Sequence, residues 1–153
     1  ALDQTLFVFD KASVLKTGMD TRKVVLDAMK RMPTLRVSVE GHTDWYGDDA
    51  YNNTLAKSRA AAVMATMLKL AGPDAASMKD RIVSSSFGEQ CIIAPNGDAD
   101  PGPPRPRVSK ANRAAQAPNR RVEIWQLMDG KGAPTACRSA DERAGHVPFG
   151  DLK

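Results

Sequence analysis

The residues best suited to chemistry stand in the first half of the chain, where residues 41–44 read Gly-His-Thr-Asp. Gly41 permits a tight turn or a close backbone approach there. Asn52 and Arg59 follow eight and fifteen residues after Asp44, and their own spacing of seven puts both on one face of a helix. A carboxylate and a guanidinium on neighbouring rigid elements can recognise a zwitterion, with Asp44 binding an ammonium and Arg59 a carboxylate. The sequence therefore predicts a binding site at a solvent-accessible junction between a strand and a helix.

The same residues allow other interpretations. Asp44 could bond its own backbone in an ordinary turn, and His42 could be a buried histidine of the core. His42 and Asp44 could instead bind a metal together with Asp48 and Asp49. The sequence contains one other histidine, His146, and it has no HExxH motif or closely paired cysteines. We therefore predict neither a metal nor a cofactor.

A hydrolase is the alternative from a different functional class. It would use His42 as the base and Asp44 as an orienting group or metal ligand. The sequence offers no persuasive nucleophile and no oxyanion arrangement to complete such a site. We therefore predict binding without catalysis.

Two helices are expected from the periodicity of the apolar residues. The first is indicated by apolar residues that recur at helical spacing until Pro33, namely Val24, Val25, Ala28, Met29 and Met32. The second runs from about residue 51 to residue 70, and its buried face is predicted to contain Leu55, Ala62, Val63, Met67 and Leu70. Gly72 and Pro73 end it, because glycine supplies a flexible stop and proline cannot continue a helix.

Four strands complete the pattern. Residues 6–9, 82–87 and 121–127 are predicted strands, and Leu35, Val37 and Val39 alternate with polar residues as in a half-buried strand. The order β-α-β-α-β-β predicts an α/β (α+β) fold with helices packed on a sheet. Two right-handed β-α-β crossovers can place the first three strands parallel.

Several short motifs occur in an order typical of one family. They are FVFD at 7–10, VSVEGHTD at 37–44, Gly47, YN at 51–52, Leu55, RA at 59–60, GE at 88–89 and NRRVEI at 119–124. From about residue 7 to residue 127 the sequence resembles OmpA-like peptidoglycan-binding domains. The resemblance implies a mixed sheet, as in the OmpA C-terminal domain, with the final strand antiparallel to the others.

The resemblance also implies a ligand and the residues that bind it. The ligand would be the stem peptide of peptidoglycan, through its meso-diaminopimelate residue, whose free end carries an ammonium and a carboxylate on one carbon. Asp44 would receive the ammonium and Arg59 the carboxylate. Asn52 and Arg120 would add hydrogen bonds, together with backbone amides near Thr43 and Asp44.

Three further residues would shape the pocket, namely Asp10, Leu55 and Arg121. The implied function is non-catalytic anchoring of an envelope protein or complex to the cell wall. The location would be the periplasm, with a tether to the outer membrane or membership of a larger envelope protein. Lipoproteins, outer-membrane barrels, flagellar stators and secretion-system anchors can all carry this domain. A related alternative is a protein-interaction module for envelope partners whose peptidoglycan binding is weak or lost.

Composition agrees with one domain and with an anionic partner. The chain has 153 residues, of which 42% are hydrophobic and 26% charged, and its net charge is +4. This charge favours cell-wall strands or nucleic acid, but 5% aromatic residues and no stacking motif argue against nucleic acid. No apolar run is long enough to span a membrane, and no signal-peptide pattern stands at Ala1. We expect a mature product or an excised soluble domain that does not itself insert into a membrane.

The predicted domain covers residues 1–128 and carries a proline-rich insertion at about 89–119. From Arg105 to Arg121 there are six basic residues and no acidic one. This stretch is either a solvated loop or an arm that contacts an anionic polymer or a partner domain. Residues 129–153 form a C-terminal extension, interpreted as a linker or a partner-specific segment.

The chain contains two cysteines, Cys91 and Cys137. An even pair in a protein expected in the periplasm is compatible with a disulfide. The bond would tie the start of the long loop to the segment after the last strand. Two buried free thiols are the alternative.

Overall fold

The strands and the two long helices follow the predicted order along the chain, and a short third helix that was not predicted lies before the third strand. The computed structural model describes residues 2–6, 19–44, 49–88, 90–91, 119–127, 132–139, 141–142 and 149. The described strands are β1 (Leu2–Leu6), β2 (Arg36–His42), β3 (Ile82–Gly88) and β4 (Arg121–Leu127). The described helices are α1 (Met19–Arg31), α2 (Asp49–Ala71) and α3 (Ala75–Lys79), with a 3-10 turn at Gly72–Asp74 before α3.

The described strands form one mixed sheet in the order β1-β4-β2-β3. β4 is antiparallel to both β1 and β2, whereas β2 and β3 are parallel. The first three strands therefore run in one direction and the last runs against them. This confirms the predicted fold class and the antiparallel final strand.

The hydrophobic core lies between the helices and one face of the sheet. Val37 and Val39 of β2 line that face together with Val122 and Ile124 of β4. The same buried cluster contains Val25, Ala28 and Met29 from α1 and Ala60, Val63 and Met67 from α2. The apolar faces that the sequence indicates, by alternation in the strands and by helical spacing in α1 and α2, therefore both face this core.

The two long helices end where the sequence predicts. α1 stops at Arg31, two residues before Pro33, whose ring would clash with the preceding turn. α2 stops at Ala71, and Gly72 follows it with φ +58°, a left-handed conformation that glycine adopts without penalty.

The first strand lies earlier in the chain than predicted. The apolar run at residues 6–9 suggested the strand, but β1 covers Leu2–Leu6, and residues 7–18 lie outside the described part of the chain. β1 pairs with β4 from Leu2 opposite Trp125 to Leu6 opposite Arg121. Pairing with a distant strand, rather than the local apolar run, therefore determines where β1 lies.

The buried faces of the helices differ in part from the prediction. Val24 of α1 is 41% exposed, and its neighbour Leu26 is buried instead. On α2, Leu55, Ala62 and Leu70 are only half-buried. Val63 and Met67 are fully buried as predicted, and Ala56 and Ala60 are buried as well. Ala56 lies against Gly41, where the backbones of α2 and β2 approach each other closely.

β2 is buried on both faces, although its alternation predicts a half-buried strand. Ser38, Glu40 and His42 lie on the face opposite the core and are also buried. Arg138 contacts Glu40 on this face, so a distant segment helps to cover it. The alternation shows which residues share a face, but it cannot show that a remote part of the chain covers the polar one.

The C-terminal extension contacts the domain at particular residues, while most of its described residues between 132 and 142 are exposed. Phe149 is 2% exposed and belongs to the core cluster, and Arg31 Nη2 donates a hydrogen bond to its carbonyl oxygen at 3.3 Å. None of the described helices combines the length and apolar character needed to cross a membrane.

Candidate functional site

The site forms where β2 ends and α2 passes over it. A Cβ at Gly41 would lie 1.9 Å from the backbone oxygen of Ala56, so only glycine lets α2 approach β2 this closely. The close backbone approach predicted at Gly41 is thus present. It brings the first half of α2, with Asn52 and Arg59, beside the end of β2.

Backbone hydrogen bonds hold the residues that follow β2. The amide of Thr43 donates to the carbonyl oxygen of Gly88 at 2.8 Å. The Thr43 hydroxyl donates to the Asp44 carbonyl oxygen at 2.9 Å, and Asn52 Nδ2 donates to the same oxygen at 3.4 Å. Hydrogen bonds from β3 and α2 therefore fix the backbone at Thr43 and Asp44.

Arg59 reaches the same segment from α2. Its Nη1 donates to the carbonyl oxygen of His42 at 2.9 Å, and the residue is 0% exposed. Asn52 is also buried and contacts the adjacent turn. The seven-residue spacing therefore brings both side chains to residues 42–44, as the sequence predicts for one helical face.

Arg120 supplies a second guanidinium from the start of β4. Its Nη1 lies 3.2 Å from Asp44 Oδ2, and the two side chains form a buried ion pair. The antiparallel register explains the contact, because Gly41 lies opposite Val122 and the chain before β4 therefore passes the end of β2. One carboxylate and two guanidiniums thus converge at this point.

The site is not solvent-accessible, which contradicts the sequence prediction. All five residues that were expected to bind ligand are buried, namely Thr43, Asp44, Asn52, Arg59 and Arg120. The prediction came from the polar character of a strand-to-helix junction. That local pattern could not show that segments far apart in the chain would close over the junction.

The three residues predicted to shape the pocket differ in burial and in whether the structure describes them. Leu55 is half-buried on α2, and Asp10 lies outside the described residues. Arg121 is buried, and it bonds Glu123 through Nε and donates from Nη2 to the carbonyl oxygen of Cys91 at 3.1 Å. Arg120 and Arg121 are therefore adjacent in sequence but have different partners.

A second polar cluster, which the sequence analysis missed, lies on the sheet face opposite the core. Ligand atoms of Glu40, His42 and Glu123 all lie within 4.8 Å of one another. Glu40 pairs with Arg138 at 2.7 Å, and Glu123 pairs with Arg121. Two arginines already balance the two carboxylates, so the geometry does not favour a divalent cation there. The signal in the sequence was the polar residue at every second position of β2, together with Arg121 and Glu123 at alternate positions of β4.

The remaining contacts of this polar cluster are also internal. Trp125 Nε1 donates to Glu123 Oε1 at 2.8 Å, and the Arg138 guanidinium lies 4.6 Å from the centre of the Trp125 ring. His42 stacks on Phe87 with ring centres 5.4 Å apart. Burial raises the pKa of Glu40 above its ordinary value, and Arg138 opposes that rise. His42 is thus a buried interior histidine, as one of the alternative interpretations predicts, although it lies on the face opposite the core.

Cys91 and Cys137 are joined in the structure, with the sulfurs 2.07 Å apart and the Cα atoms 5.6 Å apart. The bond connects the residues after β3 to the C-terminal extension. Arg138, the next residue, lies over Trp125 and pairs with Glu40. Of the other predicted metal-ligand candidates, Asp49 is the first residue of α2 and Asp48 lies outside the described residues, as does the second histidine, His146.

The mixed sheet, the helices on one face and the polar group at the end of β2 together define an OmpA-like domain. A sequence model of the OmpA family matches residues 6–101, more than half of the chain. The chain belongs to the OmpA family.

Similar proteins agree with this assignment. The chain is 35% identical over 94 residues to outer membrane porin F of Pseudomonas aeruginosa, covering 61% of the chain and 26% of the porin. It is 30% identical over 119 residues to the peptidoglycan-associated lipoprotein of Legionella pneumophila, covering 78% of the chain and 57% of the lipoprotein. The chain therefore spans less than two thirds of either relative.

A solved structure shares the fold. The peptidoglycan-associated lipoprotein of Burkholderia pseudomallei superposes with a TM-score of 0.61 at 23% identity. The match covers 81% of the chain and 89% of that protein. At this identity the likeness shows the fold.

Proposed function

We propose that this domain binds peptidoglycan without catalysis and anchors an envelope protein or complex to the cell wall in the periplasm. The observation that carries the proposal is the convergence of Asp44, Arg59 and Arg120 at the end of β2. Membership of the OmpA family and the similarity to a peptidoglycan-associated lipoprotein support it. A tether to the outer membrane belongs to the same proposal.

The ligand we propose is the meso-diaminopimelate residue of the stem peptide. Its ammonium would bind the Asp44 carboxylate, and its carboxylate would bind the Arg59 guanidinium. Arg120 would add a second cation for the carboxylate, and the Asn52 amide would complete the hydrogen bonds. Each charge of the ligand end can meet an opposite charge, because the site holds one anion and two cations and the ligand end carries one charge of each sign.

Burial of the site bears on how the ligand binds. Asp44 is 3% exposed and already pairs with Arg120, and Arg59 already donates to the His42 carbonyl oxygen. A ligand must replace these internal contacts rather than fill an open cleft. Much of the gain from its charged hydrogen bonds is therefore offset by the contacts that it displaces.

Incubation with purified muropeptides tests the proposal against its alternatives. We expect the diaminopimelate muropeptide to bind and to be recovered unchanged by mass spectrometry. Cleavage would support the hydrolase based on His42 and Asp44 instead. Absence of binding to muropeptides and to intact sacculi would support the protein-interaction module.

A further inference from the structure

Arg138 covers part of the sheet face opposite the core, although it lies outside the strands and helices. Its Nη2 and Nε donate to the two carboxylate oxygens of Glu40 at 2.7 and 3.4 Å, and its guanidinium lies 4.6 Å from the centre of the Trp125 ring. The Glu40 side chain is 1% exposed, and a carboxylate buried to this extent needs a cation beside it. Among the described basic residues, Arg138 is the one that pairs with Glu40.

The segment that carries Arg138 has few other attachments to the domain. Most of residues 132–139 are exposed. In the described part of this segment, the attachments to the rest of the domain are the bond from Cys137 to Cys91 and the contacts of Arg138 with Glu40 and Trp125. The hydrogen bonds that the segment makes besides these are internal to it. The position of Arg138 therefore depends on the crosslink and on its own side-chain contacts.

The crosslink is one residue away from Arg138, which makes its effect on this side chain large. A covalent bond at Cys137 keeps the guanidinium within reach of Glu40 at all times. Without that bond, the described anchors on either side of Arg138 are Leu127 at the end of β4 and Phe149 in the core. A side chain on such a long span has a much lower effective concentration at its partner than one beside a covalent anchor.

We propose that the thiol–disulfide state of Cys91 and Cys137 controls whether Arg138 covers the sheet face opposite the core. Cys137 is exposed and Cys91 is 6% exposed, so the thiolate of a dithiol reductant attacks the Cys137 sulfur and Cys91 is the leaving thiol. The reductant closes to its own disulfide, and its two electrons and two protons leave both cysteines as thiols. Arg138 then leaves Glu40 and Trp125, and this face opens to water. The device is independent of the proposed peptidoglycan binding.

A double-mutant cycle measured by urea unfolding tests the coupling. Arg138→Gln should raise the unfolding constant at least about tenfold in the crosslinked protein, but less than about threefold in the Cys91→Ser/Cys137→Ser double variant. The effect of the crosslink on the unfolded chain cancels, because it is the same with and without Arg138→Gln. Lys30→Gln is the control, since it removes an exposed ion pair with Asp74 and should have the same effect in both backgrounds.

Equal effects of Arg138→Gln in the two backgrounds would overturn the proposal, because Arg138 would then cover the face without the crosslink. If the double variant does not fold, NMR of the unmodified protein decides. Adding a dithiol reductant should speed exchange of the Arg138 Nε proton with water by at least about tenfold, while far-UV circular dichroism keeps the signal of the folded state. An unchanged exchange rate, or loss of the whole fold on reduction, would refute the device.

Discussion

At the scale of single residues, the site is a set of charges that already satisfy one another. Asp44 has Arg120 as a partner, and Arg59 holds a backbone carbonyl oxygen. Such internal pairing offsets the desolvation cost of the buried charges in the absence of ligand. It also means that each charged side chain contributes to the fold in addition to its proposed role in binding, so variants that test binding must preserve shape.

The shape-preserving variants Asp44→Asn and Arg59→Gln should each reduce binding to purified sacculi by roughly tenfold or more. Each removes one charge-assisted hydrogen bond to the ligand, typically about 1.5–3 kcal/mol. Lys57→Gln, on the exposed side of α2, provides the matched control and should bind normally. Co-sedimentation measures binding, and circular dichroism checks the fold. Normal co-sedimentation of both folded variants would refute their proposed roles.

The pair between Glu40 and Arg138 predicts a pH-dependent effect on stability. Burial raises the pKa of Glu40, so the folded state holds its proton more tightly and stability falls as pH rises through the interval between the unfolded and folded pKa values. Arg138 opposes this loss by pairing with the ionised form. Arg138→Gln should therefore lower the free energy of unfolding by about 1.5–3 kcal/mol near neutral pH.

Below the ordinary pKa of glutamate the same substitution should cost less, because a protonated Glu40 does not need the guanidinium. Urea unfolding in acidic and neutral buffers measures the difference. Glu142→Gln is the control, since it removes the exposed partner of Arg138 and leaves Glu40 paired. An equal loss of stability at both pH values would show that Arg138 acts through packing alone.

At the scale of the elements, the contact between β2 and α2 positions the site. Gly41 leaves space for the backbone of α2, and the buried face of that helix there consists of alanines. The register of β4 against β2 then brings Arg120 to the same end of the sheet. The consecutive elements β2 and α2, together with β4 from much later in the chain, thus deliver the three charges.

Gly41→Ala should destabilise the domain and weaken ligand binding together. The added Cβ would overlap the oxygen of Ala56, so α2 must move away from β2, at a typical cost of about 1–3 kcal/mol. Gly132→Ala is the matched control, because no atom lies within 4 Å of a Cβ at that position. Thermal unfolding and sacculus co-sedimentation give the two readouts. Stability close to that of Gly132→Ala would mean that the two elements are not in close contact.

At the scale of the whole molecule, the C-terminal extension contacts the domain through Cys137, Arg138 and Phe149. Phe149 enters the core cluster, and Arg138 lies on the opposite face of the sheet. The pairing of Cys91 with Cys137 links the extension to the residues that follow β3. The extension therefore has contacts on both sides of the sheet.

Replacing Cys91 and Cys137 by serine should lower stability substantially. A crosslink between residues 46 apart contributes roughly 4 kcal/mol in the chain-entropy model. Reductant should lower the unfolding midpoint of the unmodified protein to that of the double variant. The midpoint of the double variant should not change when reductant is added. Thiol titration of the denatured, non-reduced protein checks the bond directly. Two reactive thiols per chain would establish the free-thiol alternative.

A single domain should bind a monomeric muropeptide only weakly, with a dissociation constant in the micromolar to millimolar range. The ligand end is small, and the contacts it forms replace internal ones at Asp44 and Arg59. An assembly with several copies would hold the polymer through effective concentration. Calorimetry with the isolated domain measures the single-site affinity. A nanomolar constant would contradict this account.

The sequence by itself determined the features that depend on local periodicity. Helical spacing placed Asn52 and Arg59 on one face of α2, and the limits of β4 at Arg121 and Leu127 were predicted correctly. Glycine and proline marked the ends of α1 and α2. These patterns are reliable because side-chain direction repeats every 3.6 residues in a helix and every two in a strand.

Only the tertiary structure decided which distant residues meet. Asp44 and Arg120 are 76 residues apart, and Glu40 and Arg138 are 98 apart. Such contacts follow from the strand order, the antiparallel register of β4 and the crosslinked extension. The burial of the site and of the polar face of β2 has the same origin. A local pattern records the direction of a side chain, but the segment that covers it comes from elsewhere in the chain.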